Sequence, residues 1–204
     1  TGQTVENSDH QYKFDRNPKG EPLLQFQRCI CHFSVDNDSA NMTTKLNGEN
    51  TFFLPYNKTL NNLETKSDGY KVDYLWKEIL TPTSLLDIIE NFVLFTHETE
   101  SVWSDEKNKV IKEKNPVLIF PRYHQLDVIR KLKDQVSQDD VGKNYLVQHT
   151  TGSGKSFEIG WLSFMLTNLF KNEGEDRVFD SIIIITDRKV LDRQLQDTVK
   201  SLEK

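Results

Sequence analysis

The stretch that most constrains this chain is NYLVQHTTGSGKSFEIGWL, residues 144–162. A short apolar run, a turn holding Gly152 and Gly154, and a longer apolar segment follow one another without a break. Glycine reaches positive φ without steric penalty, so the chain can reverse tightly here between a strand and a helix. Backbone N–H groups freed by such a turn converge at the helix N-terminus, which makes an anion site. The candidate phosphate-binding residues are therefore Thr151, Gly152, Ser153, Gly154, Lys155 and Ser156. The glycines allow the close wrap, Lys155 offsets the charge of β- and γ-phosphates, and the Ser156 hydroxyl is placed to ligate Mg²⁺. His149 stands where the usual loop pattern has its first glycine. The Gly-x-Gly-Lys-Ser core that the chemistry needs is intact, so a nucleotide site outranks a structural glycine turn.

The surroundings of the loop predict its context. VLIF (117–120) reads as a strand, and RYHQLDVIRKLKDQV after it as a helix with Leu126, Ile129, Leu132 and Val136 on one face. NYLVQ is the strand before the loop, and SIIIITD the strand after the loop helix, its continuous apolar run being the mark of burial on both faces. Strand, loop, helix and strand predict a right-handed βαβ unit with a parallel sheet. Gln125, with Arg122 beside it, heads the upstream helix, and an amide there can pair with the N6/N7 edge of adenine, selecting ATP. Taken alone, an ordinary surface glutamine is the better reading. Thr186, Asp187 and Arg188 end the last strand, where an arginine can hold a nucleic-acid phosphate. Its bland alternative is a helix-cap salt bridge, which prevails for an isolated arginine.

The N-terminal half is of another kind. Residues 27–54 contain three β-prone runs, QRCICHFSV, NMTTKL and NTFFLP, separated by turn residues, which predicts a meander or hairpins. The only two cysteines, Cys29 and Cys31, alternate with Ile30 and His32 as on a strand; without further ligands at matching spacing they read as buried reduced thiols in a reducing, cytoplasmic setting. Residues 55–73 look like an exposed polar loop, and TPTSLLDIIENFVLF like a helix capped by Thr81, with Pro82 in its first turn. Leu85, Ile88, Ile89, Phe92 and Phe95 form its apolar stripe. Residues 97–116 carry Lys107, Lys109, Lys112 and Lys114 in near alternation, expected to be a solvated linker or exposed hairpin rather than a phosphate-binding row. A net charge of −5 excludes global attraction to nucleic acid or an anionic membrane, so any DNA contact needs a local basic surface. No run reaches transmembrane length. With 36% apolar residues, a real core is affordable in 204 residues.

Four blocks together, DYLWKEILTPTSLLDIIENF, FPRYHQLDVIRKL, GKNYLVQHTTGSGKS and FDSIIIITDRKVLDRQLQDT, resemble the restriction (R) subunit of bacterial type I restriction-modification enzymes. They stand in the family's order, and QFQRCICHFSVDNDSANMTTKLNGENTFFLPYN resembles the end of its nuclease domain, so the likeness spans essentially the whole chain. The resemblance implies an α/β chain: the end of a RecB-like nuclease domain with a connecting helix (1–96), a charged linker (97–116), and the start of a RecA-like parallel-sheet motor domain of helicase superfamily 2 (117–204). It implies ATP and Mg²⁺ as cofactors, and double-stranded DNA and the modification and specificity subunits as partners. Lys155 and Ser156 take the places of the Walker A lysine and magnesium hydroxyl, Gln125 that of the adenine reader with Arg122 beside it. Thr186, Asp187 and Arg188 fall in the DNA-tracking segment.

Two features depart from that family. Tyr12 fits the end of its Gln-x-x-x-Tyr helix, but Ser8 stands where the glutamine belongs. The Glu-x-Lys strand of the nuclease is expected ahead of Thr1-Gly2-Gln3, and the Asp-Glu-x-His box of the motor after Lys204, so the chain reads as an excerpt that catalyses neither reaction alone. Its catalytic carboxylates are then expected outside it. Two other classes stay open: a P-loop kinase or GTPase acting on a small substrate, and a truncated, non-catalytic assembly module.

Overall fold

The structure is a computed structural model that describes residues 2–59, 62, 69–104, 108–138, 142–171, 176–186, 195–196 and 198–200. It is mixed α/β and divides into two compact units, Thr1–Phe120 and Pro121–Lys204.

In the first unit, helix α1 (Val5–His10) starts at Thr4, whose backbone N–H donates to Asn7 Oδ1 at 2.9 Å. A more distant residue completes the cap: Asp36 Oδ2 accepts from the Val5 N–H at 2.8 Å. Asp36 lies between strands β1 (His32–Val35) and β2 (Ala40–Thr43), where its other oxygen accepts from the N–H groups of Asp38 and Ser39. Burial works against its charge, but the hydrogen bonds from Ser39, Asp38 and Val5 outweigh it and hold the carboxyl below its ordinary range. One carboxylate thus fixes both a hairpin turn and a helix start.

Strands β1, β2 and β3 (Leu54–Pro55) form the expected antiparallel meander, with His32 opposite Thr43, Val35 opposite Ala40 and Met42 opposite Leu54. The cysteine run is shorter in strand than its alternation predicts. Gln27 has a φ of 71°, Cys29 sits in an isolated bridge with Phe26, and the ladder begins only at His32. Both thiols are free and half-buried, and the Cys31 Sγ lies 3.7 Å from the Met42 sulfur. Burial pushes the Cys31 thiol well above its ordinary value.

The described residues of the expected exposed loop after β3 are anchored instead; residues 60–61 and 63–68 lie outside them. Tyr56 and Val72 are buried, and the Tyr74 hydroxyl donates to the Tyr56 carbonyl at 2.6 Å. Asn57 Oδ1 accepts from the Ala40 N–H, while the buried Asn62 accepts from the Lys58 N–H and donates to the Asp38 carbonyl and to Asn57. Side-chain amides replace a sheet ladder here, which hydropathy does not report. Phe33, Tyr56 and Phe120 close an aromatic cluster with ring centroids 5.1 to 6.2 Å apart.

Helix α2 (Pro82–Asn91) has Thr81 as N-cap residue and proline in its first turn, although the Thr81 side chain makes no capping bond. Its stripe is narrower than predicted: Ile88 and Phe92 are buried, Leu85 is half-buried, and Ile89 is exposed. Phe95 leaves the helical pattern altogether, lying exposed on strand β4 (Leu94–Ser104). Together β4 and β5 (Lys109–Ile119) pair in one long antiparallel ribbon, Leu94 opposite Ile119 and Ser104 opposite Lys109. The lysine-rich row is therefore the outer half of a hairpin; Lys107 lies outside the described residues.

The second unit contains helices α3 (Tyr123–Gln138) and α4 (Lys155–Thr167), packed together, and a small hairpin of β6 (Phe170–Lys171) and β7 (Asp176–Arg177). Leu126, Ile129 and Trp161 are fully buried. The predicted parallel βαβ pairing is not formed among the described residues. Residues 143–150 and 181–186 carry no ladder, and Leu146, Ile183 and Ile185 are 92%, 81% and 89% exposed. A run of isoleucines specifies burial on two faces only when strands stand on both sides to supply the hydrogen bonds, and no described strand does.

Candidate phosphate loop

The loop begins at His149 and ends where α4 begins. Gly152 and Gly154 have φ of 78° and 86°, both in the left-handed region that the sequence pattern assigned to glycine. Gly154 is the N-cap of α4, and the Phe157 N–H closes the first turn on its carbonyl at 3.0 Å. Lys155, first residue of the helix, folds its side chain back across the loop and donates to the carbonyls of His149 at 3.1 Å and Thr150 at 2.7 Å. An ammonium group is thereby held over the loop, exposed, on carbonyls that a stronger anionic partner can displace. Thr151 and Gly152 are exposed, Ser156 is half-buried, and the buried Ser153 hydroxyl has no hydrogen-bond partner. Arg122, His124 and residues 148–153 line an open concavity of about 680 Å³.

Gln125 does reach this loop, but as a brace. It is 4% exposed; its Nε2 donates to the carbonyls of Ser153 at 3.1 Å and Gly154 at 3.3 Å, and its Oε1 accepts from the Arg122 N–H at 2.8 Å. A Cβ at Gly154 would run into that amide nitrogen. Both polar atoms of the amide are thus engaged, by the backbone of the residue preceding α3 and of the loop. Arg122 is half-buried and lines the same concavity, with a buried Nε that has no partner. Thr186 is half-buried at the end of an extended run, and Arg188 lies outside the described residues.

The oddity at position 149 has a structural reason. His149 Nδ1 contacts both carboxylate oxygens of Glu158, at 2.9 and 3.1 Å. Glu158 is 6% exposed and the one acid of α4, and a carboxylate so placed needs a partner. His124 stands beside them, its ring edge-on to that of His149 at 4.9 Å, its Nε2 3.1 Å from the Ser153 carbonyl and 3.6 Å from Glu158. Burial holds the His124 imidazole below its ordinary value and Arg122 and His149 push the same way, against the Ser153 carbonyl and Glu158. Because a carbonyl only accepts, Nε2 of the neutral ring carries the proton. Sequence reasoning passed over Glu158; its signal was a lone acid inside an apolar segment.

The SWI2/SNF2 ATPase family matches residues 124–204, a range that contains Gln125, the whole loop and α4. A protein described as the type I restriction enzyme MjaVIIIP endonuclease subunit, from Methanocaldococcus jannaschii, is 31% identical over 154 residues. The match takes in 69% of this chain and 13% of that protein, so the chain spans a small part of its relative's length. No solved structure matches the chain. The glycine loop stands in the segment that the SWI2/SNF2 ATPase family matches, and the longer match makes the chain a homologue of the endonuclease (R) subunit of type I restriction enzymes.

Proposed function

We propose that this chain is the nuclease–motor junction of a type I restriction subunit. In this reading, ATP bound at the Gly152–Ser156 loop drives translocation of double-stranded DNA, and cleavage is done by a nuclease domain completed elsewhere in the protein. Residues 1–96 are the end of a RecB-like nuclease domain with its connecting helix, 97–116 the charged link, and 117–204 the start of a RecA-like motor domain. The modification and specificity subunits are its assembly partners. The observation that carries the reading is the pair of left-handed glycines delivering Lys155 to the first turn of α4, inside a segment that resembles a SWI2/SNF2 ATPase.

The residues present suit a magnesium nucleotide. The lysine is held by neutral carbonyls, the glycines leave the loop without Cβ atoms at its two left-handed positions, and the Ser156 hydroxyl stands one residue into the helix. Lys155 would bind and orient the terminal phosphates, Ser156 would hold the magnesium ion, and the helix N-terminus would add its partial positive charge. Bound ATP supplies the phosphoryl group whose hydrolysis drives translocation. Gln125 serves adenine selection through the loop it braces, and Arg122 lines the concavity beside it. Thr186 and Arg188 remain the proposed DNA-tracking pair.

The test is made on the intact subunit in its complex. Lys155→Ala abolishes DNA-stimulated ATP hydrolysis and DNA cutting while the subunits still assemble. Normal ATPase activity in that variant rules out the motor assignment.

A further inference from the structure

We propose that His124, His149 and Glu158 form a binding site for a divalent transition-metal ion of the zinc class, built into the wall of the loop and distinct from any magnesium held at Ser156. The proposal rests on these three side chains alone and stands whether or not the loop binds ATP.

The donors come from three separate pieces of the unit: His124 from the first turn of α3, His149 from the start of the loop, and Glu158 from the first turn of α4. Each offers one ligand atom, and these atoms lie within 4.8 Å of one another. His149 Nδ1 stands 2.9 Å, and His124 Nε2 3.6 Å, from the same carboxylate oxygen of Glu158. A tetrahedral zinc ion with ligands at about 2.0–2.1 Å sets its donors roughly 3.3 Å apart. The two separations to the carboxylate bracket that value and the third lies within 4.8 Å, so an ion would be seated once the two imidazole rings close up on one another.

The chemistry of the set selects the metal. Two imidazole nitrogens with one carboxylate is a zinc, cobalt or nickel donor set, whereas magnesium takes oxygens and keeps its waters. Glu158 is buried, while His124 and His149 are partly exposed and line the open concavity, which gives the ion a path from solvent and room for a water as fourth ligand. Among the described residues this is the only group of three histidine, cysteine or acidic side chains so disposed.

A bound ion would replace the His149–Glu158 hydrogen bond by a cross-link, tying the start of the loop to both flanking helices. His124 would exchange its bond to the Ser153 carbonyl for the metal, freeing that carbonyl to the Gln125 amide alone. The loop would then be clamped from its first residue, and its freedom to move would depend on metal supply.

The experiment is a titration of the untagged, chelator-treated chain with cobalt(II), followed by visible spectroscopy, with zinc added in competition. One equivalent should give the intense d–d bands of a tetrahedral site, bleached by zinc. His149→Ala and Glu158→Gln should each weaken binding on the order of 100-fold. Circular dichroism of both variants checks that they fold. X-ray absorption of the zinc-loaded wild-type chain gives a readout that needs no variant: two imidazole nitrogens in the first shell support the site. A weak octahedral spectrum, a zinc shell without imidazole, or unchanged affinity in both folded variants (an adventitious ion only) overturns it.

Discussion

Gly154→Ala isolates the physical reason for the loop's shape. The substitution acts twice: it puts a side chain at a φ of 86°, and it drives a Cβ into the buried Gln125 amide. The left-handed conformation costs a non-glycine residue roughly 1–2 kcal/mol. Expelling the amide removes its bonds to the Ser153 and Gly154 carbonyls, about 1 kcal/mol each. Alanine returns about 0.4–1 kcal/mol by restricting the unfolded chain. The net loss is about 3 kcal/mol, roughly a 100-fold shift in the unfolding equilibrium of the second unit. Urea unfolding followed by fluorescence measures it: Trp161 is the buried indole of this unit, and replacing Trp76 and Trp103 by phenylalanine removes the other two signals. A second arm tests the mechanism. In a Gln125→Ala background the collision has no partner, so Gly154→Ala should there cost only the conformational part, about 1 kcal/mol. Equal costs in both backgrounds would falsify the claim that Gln125 is the loop's brace.

Three other outcomes are expected in the first unit. Burial holds the His32 imidazole below its ordinary value of 6.5, so the unfolded chain binds that proton more tightly. Its contribution is complete above pH 6.5 and is lost as the pH falls through the lower folded value; a His32→Gln variant should lose less stability than wild type between pH 8 and pH 5, and an identical loss refutes the assignment. The Cys31 thiol, raised by burial, should react with a thiol reagent far more slowly in a folded Cys29→Ser variant than in the same chain in urea; equal rates would show that it is not protected. Asn62→Ala removes one acceptor and two donor bonds, those with the Lys58 N–H, the Asp38 carbonyl and Asn57, costing on the order of 3 kcal/mol in chemical denaturation. A change under 0.5 kcal/mol would mean that water replaces the amide there.

Local chemistry was enough to place much of this molecule. The turn residues of 27–54 specify the meander, Thr81-Pro82 specifies the start of α2, and Gly152 and Gly154 specify the two left-handed positions of the loop, because each depends on the steric limits of one or two residues. The Lys155 position follows from the same loop. What sequence could not settle depends on partners distant in the chain. The isoleucine run at 182–185 reads as a buried strand, yet burial is supplied by neighbours and not by the run itself. Tyr56, Asn57 and Asn62 look like loop residues until the carbonyl of Asp38 and the amide of Ala40 are brought to them.

The site divides in the same way. Sequence alone determined that a phosphate-type loop begins a helix at Lys155, and family resemblance gave it an ATPase context. Only the fold decided that Gln125 spends its amide on the loop's own carbonyls, and that His149, in place of a glycine, meets Glu158 nine residues on and His124 from another helix. The physical reason is that a buried carboxylate must find its donors in space, and spacing along one helix does not reveal which side chains the neighbouring elements will offer it.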